Sequence, residues 1–437
     1  MILKRIIEPF LIAWKASPYR KPLLVRGARQ VGKTYIIEEF GYEHFNSLIK
    51  IDLERNREWH RVFEGDLEVK KICAELEVLT NQTIVPGESL LFLDEIQSCP
   101  RAIMALRYFH EELPDLHVIA AGSLLEFAIT DIPFPVGRIQ FLEMHPMVFA
   151  EYLWATGQEK LAEIVLGVPE AVPDSVHHLL MSELKKYCFI GGMPEAVARY
   201  VESESIQQAA QVVGDLCETY RHDFPKYSRR ADPDCLDSVF RSLAKNLSHQ
   251  VKYSRLSDAW AHSTVKRAVN LLNRARIIKR VPSASPSGLP LGASASDRKF
   301  KAILVDVGIW QHLSGMRIDT AYAENDLMAI YRGAMAEQFV GQEMMVSQGS
   351  DLYYWAREAR GSSAEVDYLA VVQDSIFGVE VKSGPAGRLR SMHLLLQTYK
   401  NCAGGMVFSS APYSELPEQR LTFIPLYFVY TATRSVT

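Results

Sequence analysis

The chain has 437 residues, 48% hydrophobic and 23% charged, the balance of a soluble globular protein; a wholly disordered, collagen-like or coiled-coil chain is excluded. Lysine and arginine number 48 against 52 acids, a formal net charge of −4, so global charge gives no sign of a nucleic-acid partner and any basic surface must be local. Six dispersed cysteines (Cys73, Cys99, Cys188, Cys217, Cys235, Cys402) form no C-x-x-C pair, which argues against a disulfide framework or a zinc site and for a reducing compartment.

In chain order, MILKRIIEPFLIAWK opens as an amphipathic helix; Glu8, Pro9 and Lys15 break its apolar stretch, so it does not read as a signal peptide. No apolar run approaches the ~18 residues a membrane helix needs, and the expectation is a cytoplasmic protein with no membrane partner. Apolar strands are predicted at 21–27 (KPLLVRG), 47–53 (SLIKIDL), 89–95 (SLLFLDE) and 116–123 (LHVIAAGS). Helical segments separate them, the clearest beginning at Pro100. This alternation predicts an α/β domain with a parallel sheet over residues 1–155. A helical lid and a second helical unit follow over 156–285. The Ser/Gly/Pro/Ala-rich stretch around 283–296 reads as a wing loop or linker, with 286–296 as the linker proper. Residues 297–437 mix helices with strands in YLAVV, IFGVEVK, GGMVFSS and LTFIPLYFVY, and read as an α/β C-terminal domain.

After the first strand stands Gly27-Ala28-Arg29-Gln30-Val31-Gly32-Lys33-Thr34, a G-x-x-x-x-G-K-T phosphate loop between strand and helix. Its glycines let backbone N–H groups curl around phosphate, and the helix N-terminus adds its dipole. Lys33 would neutralise the β- and γ-phosphates of ATP and Thr34 would bind Mg²⁺. Leu90-Leu91-Phe92-Leu93 ends in Asp94 and Glu95. Asp94 would hold the magnesium through water, and Glu95 would orient or deprotonate an attacking water. Ser123, one strand later, is placed to sense the γ-phosphate. Arg138 is a candidate to offset transition-state charge, in cis or in trans; the second case would require a homo-oligomer.

Residues 241–282 carry ten Lys/Arg against one acid, Asp258. The pattern SRLSDAWAHSTVKRAVNLLNRARIIKRV reads as a winged helix whose second helix buries Val265, Val269 and Leu272. Thr264, Lys266 and Arg267 would face DNA, and Arg274, Lys279 and Arg280 would meet phosphates. The competing use of such a unit is protein packing. Farther on, Glu337 lies on a predicted helix, Glu365-Val366-Asp367 opens a strand, and Glu380-Val381-Lys382 closes the next. Residues i and i+2 of a strand share a face, so a hairpin turning near Gln373-Asp374-Ser375 brings Asp367 beside Glu380 and Lys382. Glu337, Asp367 and Glu380 would bind Mg²⁺, and Lys382 would serve phosphodiester cleavage by positioning water or offsetting charge. Trp355 reads as core, the KYSRR run (226–230) as surface, and GGMPE (191–195) as a structural turn.

LLVRGARQVGKT, LLFLDEIQSCPRAIMALR, AAGSLLEFA and GRIQFLEMHPMVFAEYL resemble a large group of bacterial and archaeal AAA-type ATP-binding proteins with an uncharacterised C-terminal domain. CFIGGMPEAV, DVGIW, GAMAEQFVGQEM, EVDYL and VEVKSG extend the resemblance over nearly the whole chain. It implies ATP binding by an AAA-like module. It also implies a C-terminal domain similar to the restriction-endonuclease-like PD-(D/E)xK fold, in which Asp367, Glu380 and Lys382 match the D…ExK pattern and Glu337 the helical acid. The leading expectation is an ATP-hydrolysing protein acting on DNA or another nucleic acid, with Mg²⁺-dependent nuclease activity. The alternative is a nucleotide-dependent switch or scaffold whose C-terminal domain binds and does not cleave. No small-molecule motif supports a metabolic kinase.

Overall fold

The structure, a computed structural model, describes residues 3–128, 137–227, 231–296, 298–318, 322, 333–349, 351–359, 362–382 and 389–435. Residues 228–230 of the basic run and Ser383-Gly384 lie outside the described residues. The chain divides into two compact units, Lys4–His145 and Pro146–Thr437 together with Met1–Leu3. Among the described residues no helix is long and apolar enough to cross a membrane.

The first unit is built on a five-stranded parallel sheet of β1 (Leu23–Arg26), β2 (Ser47–Asp52), β3 (Ser89–Asp94), β4 (His117–Gly122) and β5 (Gln140–Glu143), in the order β2-β3-β4-β1-β5. β3 and β4 are buried along their whole length, as parallel strands covered on both faces must be. Helices Lys33–His44, Val69–Thr80 and Pro100–Glu112 supply the covering layers; the last starts on a proline that fits the first turn. The order inserts β4 between β1 and β3, so three strand ends reach one edge together. These are the phosphate loop after β1, Asp94 at the end of β3, and Ser123 after β4. β5, in QFLE, is a strand the apolar pattern does not reveal, because its residues are only half buried.

The second unit begins with helices Phe149–Ala155, Glu159–Leu166, Asp174–Ile190, Pro194–Ser203 and Ile206–Tyr227. Helices Pro233–Lys245, Tyr253–Leu256 and His262–Arg274 follow, then the antiparallel pair β6 (Ile278–Pro282) and β7 (Phe300–Leu304). Val265, Ala268, Val269 and Leu272 recur at helical spacing and are buried, each large member contributing roughly 1.5–3 kcal/mol. The stretch between β6 and β7 differs from a free linker. Ala284 and Leu291 enter a core with Trp355 and Met392, Ala284 N–H donates to Tyr354 O at 2.8 Å, and Ser296 N–H donates to Ser283 O at 2.8 Å. Small residues allow the close approach, and two apolar side chains anchor it.

A six-stranded sheet completes this unit: β8 (Tyr353–Ala359), β9 (Ser362–Val372), β10 (Ser375–Val381), β11 (Cys402–Ser409), β12 (Ser414–Leu416) and β13 (Leu421–Pro425), in the order β12-β13-β11-β10-β9-β8. Helix Ala334–Ser347 and helix Arg390–Thr398 pack on it. The apolar run LTFIPLYFVY is not one strand: β13 stops at Pro425, and Leu426–Ala432 coils into a 3₁₀ turn and a short helix. Proline has no N–H to continue a ladder.

A buried polar knot ties three of these helices and their turns together. Asp306 caps helix Val307–Leu313, accepting from Gly308 N at 2.9 Å and Ile309 N at 3.1 Å, and also accepts from Gly192 N at 2.6 Å. Gln342 donates to Tyr187 Oη at 2.7 Å and accepts from Val307 N at 2.7 Å. Gly191, at φ +82°, passes so close to Asp306 that a Cβ there would collide with Oδ1. The GGMPE, DVGIW and GAMAEQFVGQEM segments are therefore parts of one packing arrangement.

Candidate functional site

Helix Lys33–His44 starts on Gly32, whose φ of +90° turns the loop into the helix. Gly27 lies against the backbone after β5, where a side chain would strike Met144 O. The buried Lys33 ammonium donates to Ala28 O at 2.7 Å and Gly27 O at 3.2 Å, over the loop. Thr34 Oγ1 donates to Asp94, at 3.1 and 3.0 Å from its two carboxylate oxygens. Burial pushes the Asp94 carboxyl above the ordinary range, while the Thr34 hydrogen bond and the Lys50 charge at 3.5 Å pull it back. Lys50 also pairs with Glu38 at 2.6 Å. Glu95 sits in the left-handed region at φ +49°, an uncommon backbone state that recurs at functional sites. Gln97 Nε2 donates to its carboxylate. Ser123 Oγ is buried without a hydrogen-bond partner among the described residues, so its bonding capacity is open to a phosphate oxygen.

Arg138 does not join this edge. It precedes β5 and pairs with Glu111 at 2.8 Å, at the end of the helix that runs from β3 to β4. Neighbouring Gly137 O accepts from Lys21 Nζ, just before β1, at 2.8 Å. Both contacts lie at the N-terminal edge of the sheet, opposite the phosphate loop, because parallel strands all start at the same side. In this arrangement Arg138 stands away from the phosphate loop of its own chain.

On helix His262–Arg274, Lys266 and Arg267 are exposed and Thr264 is half buried. The three downstream residues differ. Arg280 stacks on the Phe300 ring at 4.2 Å and donates to Asn270 Oδ1 at 3.2 Å. Lys279 pairs with Asp351 at 3.5 Å, and Arg274 is half buried. Arg280 is therefore held against Phe300 and Asn270, while Lys279 has one solvent-exposed partner.

In the C-terminal sheet the β9–β10 hairpin turns at Gln373 and Asp374, both with positive φ, and pairs Val379 with Tyr368. Glu380 and Asp367 are next in register. Asp367 Oδ2 accepts from Val381 N at 2.9 Å, and Lys382 pairs with Glu380 at 2.7 Å. Glu337 approaches from helix Ala334–Ser347. Among them lies a residue absent from the sequence reading: Lys301 of β7, whose ammonium is 3.1 Å from Glu337, 2.6 Å from Glu365 and 3.3 Å from Asp367. Burial drives the Glu380 carboxyl up to about 8, reinforced by Asp367. Among the described residues no group of three or more His, Cys, Asp or Glu side chains is arranged to hold a metal ion. In the expected Mg²⁺ set, Glu337 and Asp367 hold Lys301 and Glu380 holds Lys382.

Residues 19–153 match a family model described as "AAA domain". Those residues form an AAA-type P-loop ATPase domain. Residues 181–320 match a "Domain of unknown function (DUF8612)", and residues 332–428 a "Domain of unknown function (DUF4143)". No curated protein matches the chain. Solved structures similar to it include the Walker-type ATPase PABY2304 of Pyrococcus abyssi, at 16% identity and a TM-score of 0.46, over 71% of this chain and 96% of that one. The RuvB Holliday junction branch migration motor of Thermotoga maritima aligns at 15% identity and TM-score 0.30, covering 62% and 86%. Drosophila ORC bound to DNA aligns at 11% and 0.24, covering 70% and 94%.

Within the ATPase domain, sequence reasoning missed Lys50 and Gln97, which bear on the two acids at the end of β3. Gln97 stands in the quoted segment LLFLDEIQS, but nothing in its spacing marks it. Lys50 alternates with apolar neighbours on β2, and a polar position inside a buried strand was the available signal. Lys301 could have been found the same way, as the single charge in the apolar segment FKAIL.

Proposed function

We propose that this protein is an ATP-hydrolysing AAA-type protein that acts on nucleic acid through its basic helix, and that its C-terminal domain binds without cleaving. In the ATPase domain, the Gly27–Thr34 backbone and Lys33 would hold the ATP phosphates, and Thr34 with Asp94 would hold Mg²⁺. When bound, the metal supplies charge neutralisation at the phosphates. Glu95, held by Gln97, orients or takes a proton from the attacking water. Ser123 donates its unpartnered hydroxyl to the terminal phosphate. An Arg138 from a second copy would complete the charge balance if the chain assembles as a homo-oligomer.

The observation that carries the nucleic-acid reading is the outward pair Lys266 and Arg267 on a helix otherwise anchored by its apolar stripe. The helix–helix–helix–ladder order supports a winged-helix reading, in which such a position enters the major groove. The observation against cleavage is Lys301, which occupies the carboxylates a nuclease would give to metal. The test is ATP turnover by the full chain with and without duplex DNA. Lys33→Ala should abolish nucleotide binding, and Glu95→Gln should keep binding and lower turnover by about 10²-fold. Absence of DNA binding at low salt would leave the switch or scaffold reading in its place.

A further inference from the structure

Lys301 reaches the cluster from β7, and its side chain is only 2% exposed. Its ammonium contacts three carboxylates contributed by helix Ala334–Ser347 and β9, and a further side faces the Tyr354 ring, 5.4 Å from its centroid. A compact, strongly hydrated charge is taken this far out of water only where opposite charges surround it. Hard divalent cations ask for the same surroundings: carboxylate oxygens from several elements converging on one point. The ammonium nitrogen lies within 3.3 Å of an oxygen of each of the three carboxylates, at hydrogen-bond rather than metal-ligand distance. A second cation among the same oxygens would lie too close to share them, because like charges at this distance in a dry site repel strongly.

A separate observation concerns Glu380. Its Oε1 is taken by Lys382, while Oε2 is buried and has no hydrogen-bond partner among the described residues. Glu380 is 4% exposed and adjoins Asp367 in the β9–β10 register. An orphaned carboxylate oxygen is costly inside a protein, and this one is a donor oxygen that a metal could use once the lysine is gone.

We propose that Lys301 is a tethered cation standing in the place of a divalent metal, so that the cluster of Glu337, Glu365, Asp367 and Glu380 is complete without one and accepts one only when Lys301 is removed. The proposal extends the non-cleaving reading of the C-terminal domain. β7 pairs with β6, which follows the basic helix, so the lysine is carried by the unit that would contact nucleic acid and not by the sheet that carries most of the acids.

The test uses the nucleotide-free full chain and MnCl₂ as probe, followed by calorimetry. The double variant Lys301→Gln/Glu365→Gln removes one positive and one negative group. The formal charge of the cluster is unchanged, and Glu337, Asp367 and Glu380 are intact. The expected result is Mn²⁺ binding at least tenfold tighter than wild type, lost again on adding Asp367→Asn. If wild type already shows Asp367-dependent binding of equal strength, the proposal fails, and so does the non-cleaving reading. If neither protein shows Asp367-dependent binding, the proposal fails while the non-cleaving reading stands. Should the double variant not fold, Lys301→Gln alone is refolded with and without MnCl₂. Recovery of structure only with metal supports the proposal, and equal recovery overturns it.

Discussion

Gly191→Ala places a single methyl group where the buried knot has no room. Gly191 holds φ +82° and ψ −179°, a region open essentially to glycine alone, and forcing alanine into it costs about 1–3 kcal/mol. The new Cβ would also collide with Asp306 Oδ1 and lie 2.9 Å from Gly308 Cα and 3.0 Å from Gly308 N. Backbone on one side and a capped carboxylate on the other leave nothing flexible to yield. Shifting Asp306 weakens the cap of helix Val307–Leu313, worth about 1 kcal/mol, and leaves buried N–H groups short of an acceptor at about 1–3 kcal/mol. The sum, roughly 3–7 kcal/mol, corresponds to a fall in melting temperature of about 5–11 °C for a body of this size. Scanning calorimetry of the full chain should show the shift in the transition of the second unit, while ATP binding by the first unit survives. A shift below about 1 °C would refute the reasoning, since it would mean the two glycines and Asp306 are not packed as described.

Arg138→Ala should leave ATP affinity unchanged in dilute protein and lower turnover only at concentrations where chains associate; weaker ATP binding in the monomer would contradict its place at the far edge of the sheet. Replacing Lys266 and Arg267 by Ala should reduce the salt slope of DNA binding by about two, and Lys279→Ala, which lies off the helix on β6, should change it less; equal effects in a filter-binding series would remove the assignment of the helix face. Glu343→Gln tests a buried acid that accepts from Phe149 N at 2.9 Å. Burial raises its carboxyl from 4.5 to about 8, so the folded state holds the proton more tightly than the unfolded one and stability is lost as pH rises through that window. Glutamine keeps the acceptor and cannot ionise, so the variant should gain on wild type by up to about 1.4 kcal/mol per pH unit between roughly pH 5 and 8; parallel denaturation curves at both pH values would exclude the effect.

The ATPase domain was readable because its signals are local. A phosphate loop needs its glycines and lysine within eight residues, and buried parallel strands write themselves as unbroken apolar runs. The strand order that places Ser123 between the loop and Asp94 was not readable, since it depends on which strands pair. The same limit explains Arg138: a glycine–arginine pair before a strand looks alike at either edge of a sheet. In the second unit, the apolar stripe of helix His262–Arg274 is a sequence property, but Arg280 on Phe300 and Lys301 among the acids are fixed by pairing between strands separated by 17 residues of loop. Charge counts cannot tell a solvated lysine from one enclosed by carboxylates.

Gln338 sets where the chain can be cut. Its amide accepts from Leu304 N at 2.9 Å and donates to Leu304 O at 2.8 Å. A side chain thus stands where another strand's backbone would pair with β7. An unprotected strand edge is a template for pairing with other chains, and here the protection comes from beyond the segment that matches DUF8612. A fragment cut between the two matched segments, near residue 320, would uncover Leu304 and should aggregate, whereas fragments that keep residues 146–435 together should stay dispersed.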